Sequence, residues 1–348
     1  MRSAGGPERS SSPFRHHRSR SARGHRRSVA NDWFRVAYRR MSQTAFCPDC
    51  YRLPCLRALA RQVLAAAVMC FVTPDIVRAQ ATAPLIWVTG EPTSEGDNKR
   101  MALAVTAQVA GRPCRMQLDT GFNDAVRWQM PAADRDQLVS VKVEFAGISL
   151  SVGTSAAVAR QLTRCEPGDS VGTLGNAFFD GGTLRLDLKT PQLGYTPGSS
   201  LAEHPEAQPM FYARWTRQGG HPLVELREDG KLTGYALLDT GSAPVGFAPL
   251  SKSAWDRVTS SMPLAATKDV SPFLVSSWGR PHTCYKASSA VRLQAGRWTL
   301  MDSPVSYCPD LGFATPVKVE GVIGLAAFAD AVVTIDYPSG RWLAERAP

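Results

Sequence analysis

Two aspartates in this sequence occupy the same short motif, and together they could form an acid/base pair. Asp119 lies in the run Gln-Leu-Asp-Thr-Gly, and Asp239 lies in Leu-Leu-Asp-Thr-Gly-Ser. Each follows a short apolar run, so we expect each aspartate at the end of a buried strand. A buried carboxylate is costly unless it is paired or hydrogen-bonded. Two such carboxylates, one from each half of a duplicated chain, predict a pair that shares one proton.

Other reactive groups are sparse after residue 79. The histidines there are His204, His221 and His282, and they belong to no Ser-His-Asp or Cys-His pattern. The spacing typical of metal ligands and the Gly-rich loop typical of phosphate binding are both absent. The sequence therefore predicts neither a metal nor a cofactor.

The first 79 residues differ in composition from the remainder. Residues 1–40 are rich in Arg, Ser and His, which predicts a disordered segment. An apolar run over Val63–Val72 follows, and small residues at Ala79 and Ala81 fit a cleavage site. This order is typical of a secretory signal peptide, and the run is too short to span a bilayer stably. We therefore expect an exported protein, either periplasmic or secreted.

The positive charge of the chain is concentrated in this leader. The whole chain carries 40 basic and 30 acidic residues, and residues 1–79 hold 15 of the basic and 4 of the acidic ones. The remainder has 25 basic and 26 acidic residues, and is close to neutral. The basic character of the chain is therefore no argument for a nucleic-acid partner.

Four cysteines remain after the leader, two in each half. In an exported protein this number indicates two disulfides, one in each half. The pairing that satisfies this is Cys114–Cys165 and Cys284–Cys308, although four cysteines allow three connectivities and the sequence does not choose between them.

An internal repeat connects the two halves. Gly172-Thr-Leu-Gly175 matches Gly321-Val-Ile-Gly324, and a Phe and an Asp follow each match. The offset is 149 at both glycines, at the Phe and at the Asp, whereas the two catalytic candidates are 120 apart. The second half therefore holds about 29 additional residues, which we place within 250–287. The recurring Asp187 and Asp336 lie in strands that lead into turns, and we expect both to be structural.

Hairpins are predicted in both halves. The runs Val141–Leu150 and Ala290–Leu300 each read as a hairpin, and their glycines Gly147 and Gly296 also differ by 149. The apolar alternation before these two glycines is nevertheless out of phase by one residue. The inserted segment reads as an extra hairpin with Trp278 and Gly279 near its tip.

Short strands and frequent Gly/Pro turns predict an all-β fold. The helix candidates are few and short: Ala177–Phe179, Ser251–Ser260 and Leu325–Asp330. The Gly/Ser/Pro-rich stretch over residues 196–208 is typical of a linker.

On these residues the chain resembles the aspartic peptidases, and it is most similar to the retropepsin-like branch of bacterial exported proteins. The resemblance rests on the two Asp-Thr-Gly motifs, each followed by an apolar-apolar-Gly segment and a short helix, and it covers nearly all of residues 83–348. It implies a bilobal acid-protease fold, in which two related β-barrel-like lobes enclose a cleft. Lobe 1 would span residues 83–195, and lobe 2, with an inserted flap hairpin, residues 209–348.

The resemblance also implies roles for the motif residues. Asp119 and Asp239 would activate a water between them, so the chain would be an aspartic endopeptidase acting on a peptide or protein substrate. Thr120 and Thr240 would hydrogen-bond across the lobe interface. The remaining motif residues, Gly121, Gly241 and Ser242, would shape the turns and support the carboxylates. One chain would supply both aspartates, so a monomer suffices. In the alternative arrangement, each half would pair with its equivalent in a second molecule.

Two features of the first half depart from the family pattern. Phe122 stands where a small or hydroxyl-bearing residue is usual, and no flap is evident in that half. The extra hairpin near Trp278 is the flap candidate. These departures leave open an alternative function, in which the protein binds peptides or cell-envelope ligands without cleaving them.

Overall fold

The computed structural model describes residues 80–89, 100–130, 137–214, 219–277, 280–300, 304–311 and 317–348. The predicted leader over residues 1–79 lies outside these ranges. We call residues 80–197 the first half and residues 208–348 the second half. Within the described residues the chain is mostly β-strand, which confirms the predicted all-β class.

The first half contains ten strands and two short helices among its described residues. The strands are β1 (Ala81–Pro84), β2 (Ile86–Thr89), β3 (Arg100–Val109), β4 (Arg112–Leu118), β5 (Val126–Trp128), β6 (Leu138–Phe145), β7 (Ile148–Ser155), β8 (Ser170–Leu174), β9 (Gly182–Asp187) and β10 (Gln192–Pro197). The helices are α1 (Ala156–Leu162) and α2 (Asn176–Phe179). One sheet takes the order β5-β8-β4-β3-β6-β7, with β2 paired to β3.

The second half repeats this plan with an insertion. Its strands are β11 (Gln208–Arg214), β12 (Gly220–Glu228), β13 (Lys231–Leu238), β14 (Phe247–Pro249), β15 (Val270–Ser277), β16 (Arg280–Ala287), β17 (Leu293–Ala295), β18 (Trp298–Thr299), β19 (Val305–Tyr307), β20 (Gly321–Ile323), β21 (Ala331–Asp336) and β22 (Arg341–Arg346). It also contains helix α3 (Lys252–Thr259) and a 3₁₀ helix (Leu325–Phe328). These helices and α2 coincide, within a few residues, with the three predicted ones.

Helix α1 was not anticipated from the sequence. Its first turn is capped by Ser155, whose hydroxyl accepts a hydrogen bond from the backbone N–H of Val158 at 3.2 Å. Val158 and Leu162, four residues apart, are both buried, so one helical face packs into the core. A serine followed by apolar residues at this spacing was the available signal.

The two halves meet in a shared sheet that has local two-fold symmetry. Strands β9 and β21 are equivalent under the offset of 149, and they pair antiparallel with each other. Arg185 lies opposite Thr334, its own equivalent in the repeat. A local two-fold axis therefore passes between these residues. The order β1-β10-β9-β21-β22-β11 carries the sheet from the first half into the second.

The strand registers correct one assignment in the sequence repeat. In the first half, Phe145 pairs with Ile148 around the turn Ala146-Gly147, whereas in the second half Ala295 pairs with Trp298. Equivalent turn positions are therefore offset by 150 rather than 149, and Gly147 does not correspond to Gly296. This one-residue difference explains why the apolar alternation was out of phase.

The inserted residues form a long hairpin, β15–β16, at the edge of the second-half sheet. Strand β16 pairs with β19, and the disulfide Cys284–Cys308 also joins this hairpin to the segment after β19. A second disulfide, Cys114–Cys165, joins β4 to the segment after α1. Both predicted pairings are therefore confirmed. Trp278 and Gly279, the candidate flap residues, lie outside the described residues.

The described residues contain neither a membrane-spanning helix nor a cluster of metal ligands. No helix there is both long and apolar enough to cross a membrane. No group of three or more His, Cys, Asp and Glu side chains there could hold a metal ion.

Candidate functional site

Each motif aspartate directly follows a strand that pairs with a parallel neighbour. Strand β4 pairs with β8 and β13 pairs with β20, both in parallel. The hydrogen bonds between these parallel strands continue at the aspartates themselves. The N–H of Asp119 donates to Leu174 O at 3.0 Å, and the N–H of Asp239 donates to Ile323 O at 2.9 Å. The backbone of both aspartates is therefore fixed by a buried strand.

The two aspartates lie face to face across the boundary between the halves. A Cβ atom built on Gly241 would lie 2.5 Å from Cγ of Asp119, and one built on Gly121 would lie 2.6 Å from Oδ1 of Asp239. Real Cβ atoms do not approach other heavy atoms this closely, so glycine is required at both positions. The requirement comes from the approach of the opposite carboxylate and not from a left-handed backbone.

The two threonines lock the motifs together. The backbone N–H of Thr120 donates to Thr240 Oγ1, and that of Thr240 donates to Thr120 Oγ1, each at 3.0 Å. The hydroxyl of Thr120 donates to Leu238 O at 2.7 Å, and that of Thr240 donates to Leu118 O at 3.0 Å. All four bonds cross between the halves, and both threonines are about 1% exposed. The motif loops therefore cannot move apart without leaving buried polar groups unpaired.

The carboxylates are themselves almost buried. Asp119 and Asp239 are each 8% exposed. Gly121 N–H donates to Asp119 Oδ1, and Gly241 N–H donates to Asp239 Oδ1, both at 2.8 Å. Burial raises the pKa of Asp119 well above its usual range, and the adjacent charge and hydrogen bond of Asp239 raise it further. This is the electrostatic arrangement in which two carboxyl groups hold one proton between them.

The support of the two carboxylates is unequal. Ser242 Oγ donates to Asp239 Oδ2 at 2.7 Å. Position 122, which takes the corresponding place beside Asp119, is a phenylalanine and has no hydroxyl to donate. Hydrogen bonds to an ionised carboxylate stabilise its charge. Asp239 therefore has a side-chain hydrogen-bond donor that Asp119 lacks.

Sequence reasoning missed two buried polar residues beside the site. His221 on β12 lies within the electrostatic reach of Asp239; burial lowers the pKa of His221, and the negative charge of Asp239 opposes that shift. Asn176, at the start of α2, donates from its side-chain amide to Thr120 O at 2.6 Å. No local pattern marked either residue, because both contacts bridge distant parts of the chain.

The remaining recurring aspartates serve the fold. Asp336 is fully buried, and its carboxylate accepts hydrogen bonds from Ser199 Oγ and from the backbone N–H groups of Ser200, Leu201 and Ser339. Asp187 accepts from the backbone N–H groups of the turn that follows it. These contacts fit the structural role expected from the sequence.

Comparison with known proteins adds no relative to this picture. No protein-family model matches the chain, and no curated protein matches it either.

Proposed function

We propose that this protein is an aspartic endopeptidase, with Asp119 and Asp239 as its catalytic pair. The observation that carries the proposal is the approach of the two carboxylates across the boundary between the halves, with glycine required at Gly121 and Gly241 to allow it. The raised pKa of Asp119 and the reciprocal threonine bonds support it. In this reading the two halves are the lobes of an acid-protease fold, and the substrate lies between them.

The unequal support of the carboxylates assigns their roles. Ionised Asp239, which accepts from Ser242 and Gly241, acts as the general base and takes a proton from a water molecule. Protonated Asp119 donates a hydrogen bond to the carbonyl oxygen of the scissile peptide. The water oxygen bonds to the carbonyl carbon and gives a tetrahedral intermediate. The C–N bond then breaks as Asp239 gives the proton that it took from the water to the leaving nitrogen. No covalent enzyme intermediate forms, because the attacking oxygen comes from water.

An extended peptide is the expected substrate. It would bind in the cleft largely through main-chain hydrogen bonds, with side-chain pockets setting its preference. The inserted hairpin β15–β16 is the candidate flap of the second half. In the sequence of the first half, only nine residues separate Trp128 from Leu138. A single flap would then cover the substrate.

The compartment and assembly follow from the same proposal. The two disulfides fit a protein exported to an oxidising compartment, either the periplasm or the exterior. Because one chain supplies both aspartates, a monomer would be sufficient for activity. Neither a metal nor another cofactor takes part in the proposed reaction.

One observation favours a second candidate, a protein that binds peptides without cleaving them. Phe122 gives Asp119 no hydroxyl partner, and a poorly supported catalytic group can lose turnover while the cleft still binds. Such a protein would keep the cleft and the paired carboxylates, and its affinity for peptides would not depend on the charge of Asp239.

A peptide-library assay separates the two candidates. The purified protein and the Asp239→Asn variant are incubated with a broad peptide library between pH 3 and pH 8, and products are identified by mass spectrometry. The proposal expects cleavage by the wild type and none by the variant. If neither protein cleaves and both bind peptides equally, the binding function is correct and the peptidase proposal fails.

A further inference from the structure

The buried side-chain amide of Asn176 is hydrogen-bonded to the backbone of the first motif loop, which contains Gly121. Asn176 is fully buried, and its Nδ2 donates to Thr120 O at 2.6 Å and to Phe122 O at 3.1 Å. These two carbonyl groups stand on either side of Gly121. One side chain therefore holds the peptide group that precedes Gly121 and the one that follows Phe122.

The bond to Thr120 O acts on the carboxylate through one rigid peptide group. The carbonyl of Thr120 and the N–H of Gly121 belong to the same planar peptide unit. Holding the carbonyl therefore sets the direction of the N–H that donates to Asp119 Oδ1 at 2.8 Å. Since Phe122 supplies no hydroxyl, this N–H is a principal constraint on the orientation of Asp119.

The second half has no such amide at the equivalent place. Leu325 occupies the position of Asn176, under the same offset of 149 that relates Gly175 to Gly324. The backbone bonds are alike, because Asn176 N–H donates to Phe122 O at 2.9 Å and Leu325 N–H donates to Ser242 O at 3.3 Å. The side-chain bonds of Asn176 are thus an addition confined to the half that lacks the serine.

A tyrosine from the opposite half orients this amide. The hydroxyl of Tyr337, just after β21, donates to Asn176 Oδ1 at 2.8 Å, which turns Nδ2 toward the loop. Tyr337 is buried against the ring of Tyr212, whose centroid lies 5.1 Å away in an edge-to-face arrangement. Burial also raises the pKa of Tyr337, so its hydroxyl remains a donor. The equivalent of Tyr337 in the first half is Leu188, which has no hydroxyl.

We propose that Asn176, oriented by Tyr337, is a positioning residue that aims Asp119 and replaces the support that a serine gives to Asp239. The inference rests on the proposed peptidase function for its kinetic consequence. Its structural consequence, a first motif loop held by Asn176, can be measured without turnover.

The test compares Asn176→Leu, which copies the residue of the second half, with wild type. Tyr337→Phe removes only the orienting hydroxyl. The control is Ile335→Val, which shortens a buried side chain on β21 and leaves the amide and phenol intact. Two quantities are measured for each protein: kcat and KM on a cleaved peptide, and the hydrogen-exchange rates of the Gly121 and Gly241 amides.

Misorientation of the Asp119 carboxyl group should lower kcat and leave substrate binding intact. For Asn176→Leu we expect kcat to fall roughly 10- to 100-fold with KM unchanged, because a small misplacement of a catalytic group has effects of this size. The Gly121 amide should exchange faster while the Gly241 amide keeps its rate. Tyr337→Phe should cause smaller changes in kcat and in Gly121 exchange, in the same direction as Asn176→Leu. Ile335→Val should leave kcat unchanged and should not accelerate Gly121 exchange relative to Gly241 exchange.

Two results would overturn the inference: an unchanged kcat in Asn176→Leu, or equal acceleration of both glycine amides, which indicates general destabilisation. If the wild type cleaves no peptide at all, the peptidase proposal fails separately. In that case the exchange rates of Gly121 and Gly241 still decide whether Asn176 holds the first motif loop.

Discussion

The reciprocal threonine bonds allow a quantitative prediction for the boundary between the halves. Thr120→Val removes one hydroxyl and keeps the shape of the side chain. It leaves two buried groups unpaired, the N–H of Thr240 and the carbonyl of Leu238. Each unpaired buried group costs about 1–3 kcal/mol, so the variant should lose roughly 2–6 kcal/mol of unfolding free energy. Thr240→Val removes a different pair of bonds of similar length and should cost a similar amount.

The serine variants are the matched controls. Thr120→Ser and Thr240→Ser keep the hydroxyl and lose one methyl group, which should cost only about 1 kcal/mol. Urea unfolding with both disulfides intact, followed by circular dichroism, gives the free energy of unfolding for each variant. The serine variants show how much of the loss comes from the methyl group, and the additional loss in the valine variants reports the hydrogen bonds.

The reasoning is refuted if the valine variants are no less stable than the serine variants. It is also refuted if one valine variant is strongly destabilised and the other is not, since each threonine contributes two bonds across the same boundary. A change in the urea dependence itself would point to an altered denatured state and would require a separate explanation.

Three further predictions concern single carboxylates and one glycine. Asp336→Asn should lower the free energy of unfolding by about 1–3 kcal/mol at neutral pH. Hydrogen bonds hold the pKa of Asp336 below its usual value, so this loss should shrink as the pH falls below about 4. Urea unfolding at several pH values measures it. Asp119→Asn should raise the free energy of unfolding at neutral pH. The pKa of Asp119 is raised in the folded protein, so the wild type loses stability as the pH rises above about 4, whereas asparagine does not ionise. An unchanged melting temperature at pH 7 would contradict this. Gly241→Ala should abolish peptide cleavage, because its methyl group would lie 2.5 Å from Cγ of Asp119, and retained cleavage would show that the carboxylates are farther apart.

The sequence predicted those features that depend on local pattern. The Asp-Thr-Gly motifs, the hairpins and the all-β class each follow from residues close together in the chain. The disulfides were predicted by assuming one in each half. The inserted hairpin was found because the two aspartates are 120 apart while later anchors are 149 apart.

The sequence did not predict features that depend on register or on distant contacts. The turn at Ala146-Gly147 was matched to the wrong glycine, because Gly296 begins its turn whereas Gly147 ends its own. Asn176 aligns with Leu325 in the repeat, so the repeat itself gave no signal for a polar role at this position. Its polar role depends on Tyr337, which lies 161 residues later in the chain.

Unequal support for two equivalent aspartates is the main feature that the structure adds. One half uses a serine hydroxyl on its carboxylate, and the other uses an amide behind its loop. Both arrangements constrain a buried carboxyl group that faces its equivalent in the other half, but only the hydroxyl contacts the carboxyl group directly. The two halves of the repeat have therefore diverged in chemistry while keeping the same backbone course through the motif.

The central claim is that Asp119 and Asp239 act as one catalytic pair. Its most direct test is kcat/KM for wild type, Asp119→Asn and Asp239→Asn on one peptide that the wild type cleaves. Each single variant should lose activity by roughly 10²–10⁴-fold or more, because each removes one partner of the acid/base pair. Wild-type activity in Asp119→Asn, with loss confined to Asp239→Asn, would contradict it and place the chemistry on the second half alone.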